Sequence, residues 1–328
     1  MAAFPRFWLA KGTLSAALLP LAALYRGLIA LRRWSYRRGW LASYRLPCPV
    51  IVVGNIFVGG TGKTPVVLYL VEQLRGLGLR PGIITRGYGG RRGGGPLWVA
   101  PDSDPAEAGD EAVLLAGRAL CPVVAAPDRV AAARHLLAQA DCNVLISDDG
   151  LQHYRLRRDL ELVVVDAERG LGNGRLLPAG PLREPAARLQ EVDMVLANGE
   201  GSALTPYCFR LVPGDCVNLA SGERRPLTAA AFAGPVHAVA GIGNPGRFFA
   251  SLRAHGLSLI EHGFPDHHRY RAADLALPGD RPILMTEKDA VKCLAFASGR
   301  EWYLPVTAVP APAARQRLLH LLSELEAV

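Results

Sequence analysis

The segment from Pro49 to Pro65, which reads PVIVVGNIFVGGTGKTP, holds the residues whose types and spacing point most directly to chemistry. An apolar run leads into a glycine-rich loop, and Lys63 and Thr64 follow at the start of a helical pattern. In such a loop, backbone N–H groups bind phosphate oxygens, the lysine neutralises the β- and γ-phosphates, and the threonine hydroxyl binds Mg²⁺. The pattern predicts a binding site for a nucleoside triphosphate.

The match to the phosphate-loop pattern G-x-x-x-x-G-K-[ST] is incomplete, because its first glycine would stand where this chain has Phe57. A strand-to-helix turn that merely contains glycine is therefore the alternative. The apolar run before the loop and the helical pattern after it favour the phosphate site. The residues expected to bind ATP are Gly59, Gly60, Thr61, Gly62, Lys63 and Thr64.

Two carboxylates after another apolar run, residues 143–147, are candidates for binding Mg²⁺. Asp148 and Asp149 stand at the end of a predicted strand, which is the Walker-B position of nucleotide-binding proteins. An Asp-Gly turn that ends the strand is the alternative. Asp166, at the end of the next apolar run, is a rival for the same role.

Transfer of a phosphoryl group to a hydroxyl requires a base near the acceptor, and Asp110 in the sequence AGDE is a candidate. Its spacing alone favours a helix N-cap, a position where aspartate is common.

The segment from Phe264 to Tyr270, together with His262, is dense in titratable groups. It is compatible with metal ligands, with an Asp/His acid–base unit or with a polar loop, and the residue types alone favour the loop.

The elements that must position these residues form two sets. Up to about residue 200, short runs of Val, Ile and Leu alternate with helical patterns, which is typical of a parallel sheet flanked by helices. Ligands bind at the carboxyl ends of the strands in such sheets. We therefore predict an α/β fold of the P-loop NTPase type, with a kinase-like phosphate-binding domain over 41–200, a polar linker over 201–230 and a smaller α/β domain over 231–328.

The second set contains a pattern that imitates another nucleotide site. Residues 241–246 read GIGNPG after an apolar run, and Glu261 follows, as in dinucleotide-binding folds. A nicotinamide-dependent enzyme is the formal rival. Against it, the Asn-Pro pair inside the loop is a poor start for close approach to a pyrophosphate, and the earlier loop already accounts for a nucleotide.

Residues 1–40 differ in character from the rest of the chain. The run from Leu14 to Leu31 is apolar, and arginines and aromatic residues crowd its C-terminal end. A helix that spans a bilayer needs about 20 apolar residues, whereas this run is interrupted by Pro20 and Arg26. We expect an amphipathic helix that associates with the membrane interface, without cleavage or export, and a helix packed on the protein body is the alternative.

Composition limits the class of protein and its partners. Of the 328 residues, 50% are hydrophobic, so the chain can form two domains and is not disordered. A net charge of +8 favours an anionic partner, which is nucleic acid, a phosphorylated metabolite or an acidic lipid surface. The six cysteines show no C-x-x-C spacing, so no zinc or iron–sulfur site is expected and a reducing cytoplasm fits best.

Seven motifs, in order from about residue 50 to about residue 292, resemble those of the tetraacyldisaccharide 4′-kinase family of Gram-negative bacteria. They read VGNIFVGGTGKTP, TRGYGG, AGDE, DDGLQHYRLRRDLE, LPAGPLREP, FPDHHRY and MTEKDAVK. The resemblance implies transfer of the γ-phosphate of ATP to the 4′-hydroxyl of a tetraacylated glucosamine disaccharide 1-phosphate, which forms lipid IVA in lipid A biosynthesis. It also implies two domains joined by a two-stranded linker, with the active site between them.

The resemblance further implies roles for individual residues, against the cap and loop that spacing alone favours. Lys63 would act on the phosphates, Asp110 would take the proton of the acceptor, and His267 would tune Asp110. Arg86 would contribute to the phosphate and substrate surroundings. The implied Mg²⁺ ligands are Thr64, Asp148, Asp149, Gln152 and Glu184.

The implied partners are the lipid substrate and the membrane surface, reached through the N-terminal segment, and not nucleic acid. The implied location is the cytoplasmic face of the bacterial inner membrane, with peripheral or monotopic attachment. A P-loop protein that grips nucleic acid through Arg86, Arg91 and Arg92 is the alternative from a different functional class.

Overall fold

The computed structural model describes residues 5–90, 95–232 and 234–325. Arg91 and Arg92, which the nucleic-acid alternative requires, lie outside the described residues. The α-helices are α1 (Thr13–Ala17), α2 (Leu19–Arg37), α3 (Lys63–Gly76), α4 (Pro105–Ala108), α5 (Asp110–Arg118), α6 (Arg129–Gln139), α7 (Pro245–Ala254), α8 (Glu287–Ala290) and α9 (Pro312–Glu324). Short 3₁₀ helices lie at Arg6–Trp8, Ala186–Gln190, Ala229–Ala231, Ala272–Leu275 and Leu294–Phe296.

The β-strands belong to two sheets. They are β1 (Val50–Gly54), β2 (Pro81–Thr85), β3 (Leu97–Trp98), β4 (Val123–Ala125), β5 (Val144–Asp148), β6 (Leu160–Asp166), β7 (Met194–Asn198), β8 (Cys208–Pro213), β9 (Cys216–Asn218), β10 (Arg224–Arg225), β11 (Val236–Ala240), β12 (Leu259–Gly263), β13 (Ile283–Thr286), β14 (Glu301–Leu304) and β15 (Val306–Pro310). The larger sheet has the order β15-β8-β7-β6-β1-β5-β2-β4-β3, and the smaller has the order β10-β9-β14-β13-β11-β12.

The larger sheet is parallel except at its edges, where β3 and β15 run antiparallel to their neighbours. Its central strands are buried on both faces, as the unbroken apolar runs predict. Along β1, Val50 and Val52 pack on one face, whereas Ile51 and Val53 pack on the other, because side chains alternate along a strand. The predicted α/β fold, with a mostly parallel sheet flanked by helices, is confirmed.

The smaller sheet belongs to a second domain, which β9 to β14 define. Strands β12, β11, β13 and β14 are parallel, and β9 and β10 add an antiparallel edge. Apolar side chains of α7, with Phe248, Phe249 and Leu252, cover one face of this sheet. The carboxyl ends of β11 and β13 lead into the loop before α7 and into α8.

The connection between the domains differs from the predicted linker 201–230. Strand β8 lies inside that range but pairs with β7 in the larger sheet. The predicted smaller domain 231–328 is also too long, because β15 and α9 return to the larger domain. Only Pro305 separates β14 from β15, so the apolar run EWYLPV shows no break in the sequence. The adjacent strands β8 and β15 form the two-stranded connection that the family resemblance implies.

The N-terminal helix α2 packs on the larger domain by one face. Ala22 is buried, and the hydroxyl of Tyr25 donates a hydrogen bond to the backbone oxygen of Arg183 at 3.1 Å. Its other face carries exposed leucines, namely Leu21, Leu24, Leu28 and Leu31. Within 5–90, 95–232 and 234–325, the length and apolar character needed to cross a bilayer are not combined in any helix.

The packing of α9 generates a test of the corrected domain boundary. Leu318 is fully buried in the core that also contains α3, so Leu318→Ala should lower the free energy of unfolding by about 2–5 kcal/mol. Urea denaturation followed by circular dichroism measures this loss. The control Gln316→Ala, on the exposed side of the same helix, should change it by no more than about 0.5 kcal/mol. Equal effects of the two substitutions would contradict the placement of α9.

Candidate active site

The glycine-rich loop between β1 and α3 is held in a conformation that requires glycine at position 62. Gly62 has φ of 94°, and a Cβ atom there would lie 2.8 Å from Nδ2 of Asn198. The same amide donates a hydrogen bond to the backbone oxygen of Thr61 at 3.2 Å. Asn55, at the other end of the loop, donates to the backbone oxygen of Gly59 at 3.2 Å. The loop is thus fixed from both sides before the first turn of α3, where free backbone N–H groups attract anions.

Lys63, the first residue of α3, lies beside the second of the two predicted carboxylates. Its Nζ atom is 3.3 Å from Oδ1 of Asp149, and Nη1 of Arg183 is 3.2 Å from Oδ2 of the same carboxylate. Burial favours the protonated form of Asp149, but Lys63 and Arg183 outweigh burial and hold its pKa well below the ordinary range. Asp149 is therefore an ionised carboxylate with two cationic partners.

Asp148 lies in a very different environment, although it is adjacent in sequence. Its side chain is buried, and Oδ2 accepts a hydrogen bond from the hydroxyl of Thr85 at 3.3 Å. Its Oδ1 atom has no hydrogen-bond partner within the part of the chain that the structure describes. Burial, together with the negative charges of Glu111 and Asp149, raises the pKa of Asp148 to about 7. A buried carboxylate oxygen without a partner is well suited to bind a cation.

Gln152 and Glu184, two other predicted metal ligands, each have a protein partner, and Oε1 of Glu184 has none among the described residues. Gln152 donates a hydrogen bond to the backbone oxygen of Asn55 at 3.1 Å, so it supports the start of the phosphate loop. Glu184 is buried, and its Oε2 accepts a hydrogen bond from the hydroxyl of Tyr154 at 2.8 Å and lies 3.5 Å from Nε of Arg188.

Asp166, the rival of the two aspartates, serves another contact. Its Oδ2 atom lies 3.1 Å from Nη2 of Arg247, which belongs to α7 in the smaller domain. Its Oδ1 atom accepts hydrogen bonds from the backbone N–H groups of Glu168 and Arg169. Asp166 therefore links the two domains.

Arg86, which was expected near the phosphates and the substrate, is exposed at the end of β2.

Asp110 and His267 form a pair across the boundary between the domains. Asp110 is the first residue of α5, and its Oδ2 atom lies 3.0 Å from Nδ1 of His267. The N-cap of α5 is Gly109, so the assignment of Asp110 as the cap from its spacing is wrong. The histidine segment is a loop, as its residue types alone favour, but His267 within it contacts the buried carboxylate of Asp110 and has a left-handed backbone with φ of 58°.

Two lysines of the smaller domain surround the Asp110–His267 pair. The Nζ atoms of Lys288 and Lys292 each lie 4.0 Å from Oδ2 of Asp110. Burial alone would raise the pKa of Asp110, but the hydrogen bond with His267 and the two ammonium charges outweigh it, so that the pKa is lowered. The carboxylate is thus kept ionised and available as a proton acceptor.

A cleft of about 640 Å³ lies between the domains, and residues from the glycine-rich loop and from the histidine segment line it together. The phosphate loop, Lys63 and Asp149 line it from the larger domain, whereas His267 and Lys288 line it from the smaller domain. Its apolar walls include Leu68, Leu114, Leu211, Ile242, Phe248, Leu304 and Val306. A cleft of this size, with apolar walls and a few polar groups, is typical of a site for a small-molecule ligand.

The glycine pattern at 241–246 does not form a separate dinucleotide site. The N–H group of Gly241 donates a hydrogen bond to Oδ2 of the buried Asp289 at 2.9 Å, and Gly243 faces the phosphate loop. A Cβ atom on Gly243 would lie 3.4 Å from the backbone nitrogen of Gly60. Glu261 forms an ion pair with Arg253. The glycines thus permit close approach of the two domains.

Several residues of this site were not predicted from the sequence. They are Tyr88, Arg183, Asn198, Arg247, Lys288 and Lys292. Tyr88, Arg183, Lys288 and Lys292 stand within the motifs TRGYGG, LPAGPLREP and MTEKDAVK, so motif membership was a usable signal for these four.

Comparison with known proteins agrees with this geometry. The family model described as tetraacyldisaccharide-1-P 4′-kinase matches residues 14–323. The tetraacyldisaccharide 4′-kinase of Alkalilimnicola ehrlichii is 58% identical over 335 residues, which cover 100% of this chain and 99% of the relative. The corresponding kinase of Halorhodospira halophila is 53% identical and covers 98% of both chains.

A solved structure shares the fold. The crystal structure of LpxK from Aquifex aeolicus in complex with ATP superposes with a TM-score of 0.80 at 31% sequence identity, over 95% of this chain and 99% of that chain. The residues that the family model matches, 14–323, include both domains and α2. By sequence and by structure, this chain belongs to the tetraacyldisaccharide 4′-kinase family.

Proposed function

We propose that the protein transfers the γ-phosphate of ATP to the 4′-hydroxyl of a tetraacylated glucosamine disaccharide 1-phosphate, the reaction for which its relatives are named. The observation that carries this proposal is the single cleft in which Lys63 and the phosphate loop face His267, the partner of Asp110. A phosphate donor and a hydroxyl acceptor bound there would meet between the two domains. Phosphoryl transfer depends mainly on such placement and on charge neutralisation.

The roles of the residues follow from their surroundings. Backbone N–H groups of Gly60 and Gly62, with Lys63, would bind the β- and γ-phosphates of ATP. Asp110 would accept the proton of the attacking hydroxyl, because its lowered pKa keeps it ionised. His267 would hold the carboxylate in place through its 3.0 Å contact. Arg86, which is exposed directly after β2, would contact the substrate.

Mg²⁺ fits the residues beside the phosphate loop. Among the described residues no group of three His, Cys, Asp or Glu side chains forms a metal cage, and Mg²⁺ usually takes one or two carboxylates together with substrate phosphates. Thr64, Asp148 and Asp149 would hold it, and the unpartnered Oδ1 atom of Asp148 supports this choice. Gln152 and Glu184 would support the site through the bonds they already make. When bound, Mg²⁺ would neutralise charge on the phosphates.

The exposed leucines of α2 would bring the enzyme to a lipid that cannot leave the bilayer easily. Removing an acyl chain from the bilayer costs about 0.8 kcal/mol for each CH₂ group, so four chains keep the substrate in the membrane. Leu21, Leu24, Leu28 and Leu31 repeat at helical spacing on the outer face of α2. Arginines follow at positions 32, 33, 37 and 38, which suits the cytoplasmic face of the bacterial inner membrane.

The reaction is tested by thin-layer chromatography with radiolabelled ATP and the detergent-solubilised disaccharide 1-phosphate. The wild-type protein should label the lipid, and Lys63→Ala should reduce labelling by about 10²- to 10³-fold. Asp110→Asn should lower kcat by about 10²- to 10⁴-fold, with a smaller change in the KM for ATP. The control Asp102→Asn, which changes an exposed carboxylate, should keep wild-type activity. Transfer by Asp110→Asn at the wild-type rate would exclude Asp110 as the base.

The environment of Asp148 predicts a particular pH dependence of stability without ATP and Mg²⁺. Its pKa is raised in the folded protein, so the folded state binds a proton that the unfolded chain releases between about pH 4 and 7, and stability from this group is lost as the pH rises through 7. Asp148→Asn should therefore be more stable than the wild type at pH 8, by roughly 2–4 kcal/mol, and this advantage should shrink at pH 5. Urea denaturation in metal-free buffer measures both values.

Asp149→Asn is the matched control for Asp148→Asn, and it should change the free energy of unfolding in the opposite direction. The pKa of Asp149 is lowered, so its carboxylate stabilises the folded state at neutral pH, and this stability is lost only as the pH falls through the folded pKa. Asp149→Asn should accordingly be less stable than the wild type at both pH 5 and pH 8. A destabilised Asp148→Asn at pH 8 would contradict the assigned environment of Asp148.

Membrane association is tested by placing charge on the outer face of α2. The combined substitution Leu21→Glu, Leu24→Glu and Leu28→Glu should reduce co-sedimentation with phosphatidylethanolamine–phosphatidylglycerol vesicles by about tenfold or more, because three apolar contacts with the bilayer are lost. Leu120→Glu, at an exposed leucine outside α2, is the control and should sediment as the wild type does. Unchanged sedimentation of the triple variant would show that α2 is not the membrane contact.

A further inference from the structure

The Asp110–His267 pair is divided between the domains, so its geometry depends on how the domains pack. Asp110 begins α5 in the larger domain, whereas His267 lies in the loop between β12 and β13 of the smaller domain. The chain connects the domains only through β8 and β15, and both strands lie on the far edge of the larger sheet from β4, on which α5 packs. Contacts between the domains, at α5 and at the ion pair of Asp166 with Arg247, must therefore bring His267 to within 3.0 Å of Asp110, and those at α5 lie on the same helix as Asp110.

Helix α5 meets α8 of the smaller domain through two ion pairs. Nη1 of Arg118 contacts both carboxylate oxygens of Glu287, at 2.6 Å and 2.8 Å. Nζ of Lys288 donates to Oε1 of Glu111 at 3.0 Å. Glu111 and Arg118 are seven residues apart, which is two turns, so they lie on the same face of α5. Two adjacent residues of α8 thus bind opposite ends of one helix face.

Lys288 connects these ion pairs to His267 itself. Its Nζ atom lies 3.4 Å from Nε2 of His267 and 3.5 Å from Oδ1 of Asp266, in addition to its contact with Glu111. An ammonium group has only donors, so Nε2 is the acceptor in this contact and Nδ1 carries the ring proton. The proton on Nδ1 then points at Asp110, which is the tautomer the pair requires.

Burial makes these ion pairs sensitive to the loss of a partner. The side chains of Glu287 and Lys288 are only 12% and 17% exposed. Burial opposes the charged form of Lys288, but Glu111, Asp110 and Asp266 outweigh it, so that the pKa of Lys288 is raised above its ordinary range. Removing one charge would leave the other buried without compensation, and the two helices would separate.

We propose that the ion pairs Arg118–Glu287 and Glu111–Lys288 form an interdomain clamp that assembles the Asp110–His267 pair. The clamp residues are positioning residues, since they act through Asp110 and His267. This inference rests on the roles proposed above for Asp110 and His267. It adds that catalysis requires α8 to be bound to α5 through complementary charge.

The test reverses the charges of the Arg118–Glu287 ion pair. Arg118→Glu and Glu287→Arg should each lower kcat for lipid phosphorylation by about 10- to 100-fold, because small displacements of reacting groups have effects of this size. The double variant, which restores opposite charges in the reverse order, should recover activity to within about threefold of wild type. Arg80→Asp and Asp141→Arg reverse an exposed ion pair within the larger domain, and they should keep wild-type activity.

A second measurement reports the pair directly, independently of activity. In protein labelled with ¹⁵N-histidine, the proton on Nδ1 of His267 should give a downfield NMR signal, assigned by its loss in His267→Gln. The signal should vanish in each single charge reversal and return in the double variant. If a reversal prevents folding, as judged by circular dichroism, Arg118→Gln and Glu287→Gln take its place, and both should weaken the signal.

The outcomes distinguish a failure of the clamp proposal from a failure of the proposed function. A signal that persists in the single variants, or a double variant that recovers neither signal nor activity, would overturn the clamp. Full activity of Asp110→Asn would overturn the base assignment instead, and loss and recovery of the signal would still support the clamp. Loss and recovery of both signal and activity would support the two together.

Discussion

The need to neutralise buried carboxylates in the cleft between the domains determines much of this structure. Asp149 is paired with Lys63 and Arg183 within the larger domain. Asp110 obtains its positive partners from the smaller domain, namely His267, Lys288 and Lys292. Charge compensation of this kind holds the domains together and keeps both carboxylates ionised. Asp148 differs, because its Oδ1 atom has no hydrogen-bond partner among the described residues.

The positions of the charges also separate the donor side of the cleft from the acceptor side. The phosphate loop and the two adjacent aspartates belong to the larger sheet, at the carboxyl ends of β1 and β5. The histidine and the lysines come from the smaller domain. The glycine-rich loop and Asp110 are therefore carried by one domain, and the positive partners of Asp110 by the other, so the relative placement of the domains determines whether these groups meet.

The glycine-rich loop between a strand and a helix was predictable from sequence because its pattern is local: the glycines, Lys63 and Thr64 lie within a few residues of each other. The parallel sheet was predictable because the strands are buried on both faces and read as unbroken apolar runs. The role of Asp110 was not, since an aspartate before a helix looks the same whether it caps the helix or faces a histidine 157 positions away. Only the resemblance to a family separated those alternatives.

Local patterns misplaced the domain boundary, and they let the glycines at 241–246 imitate a dinucleotide site, for a related reason. Strand β15 follows β14 after a single proline, and its pairing with β8 is a long-range contact that leaves no mark in a local pattern. The glycines at 241 and 243 follow a strand and precede a helix as in a dinucleotide site, but they provide space for Asp289, Tyr270 and the phosphate loop. Local spacing does not distinguish a glycine that admits a ligand from one that admits another part of the protein.

The return of the chain through β15 has a mechanical consequence. The smaller domain is inserted between β8 and β15, which are neighbouring antiparallel strands. It is therefore attached by two tethers that lie side by side, about one strand spacing apart. Such an attachment bends easily about an axis that crosses both tethers, but it resists rotation about their length, because rotation would wind one tether around the other. A swing about that axis would carry the smaller domain toward the glycine-rich loop or away from it, without turning α8 about the length of the tethers.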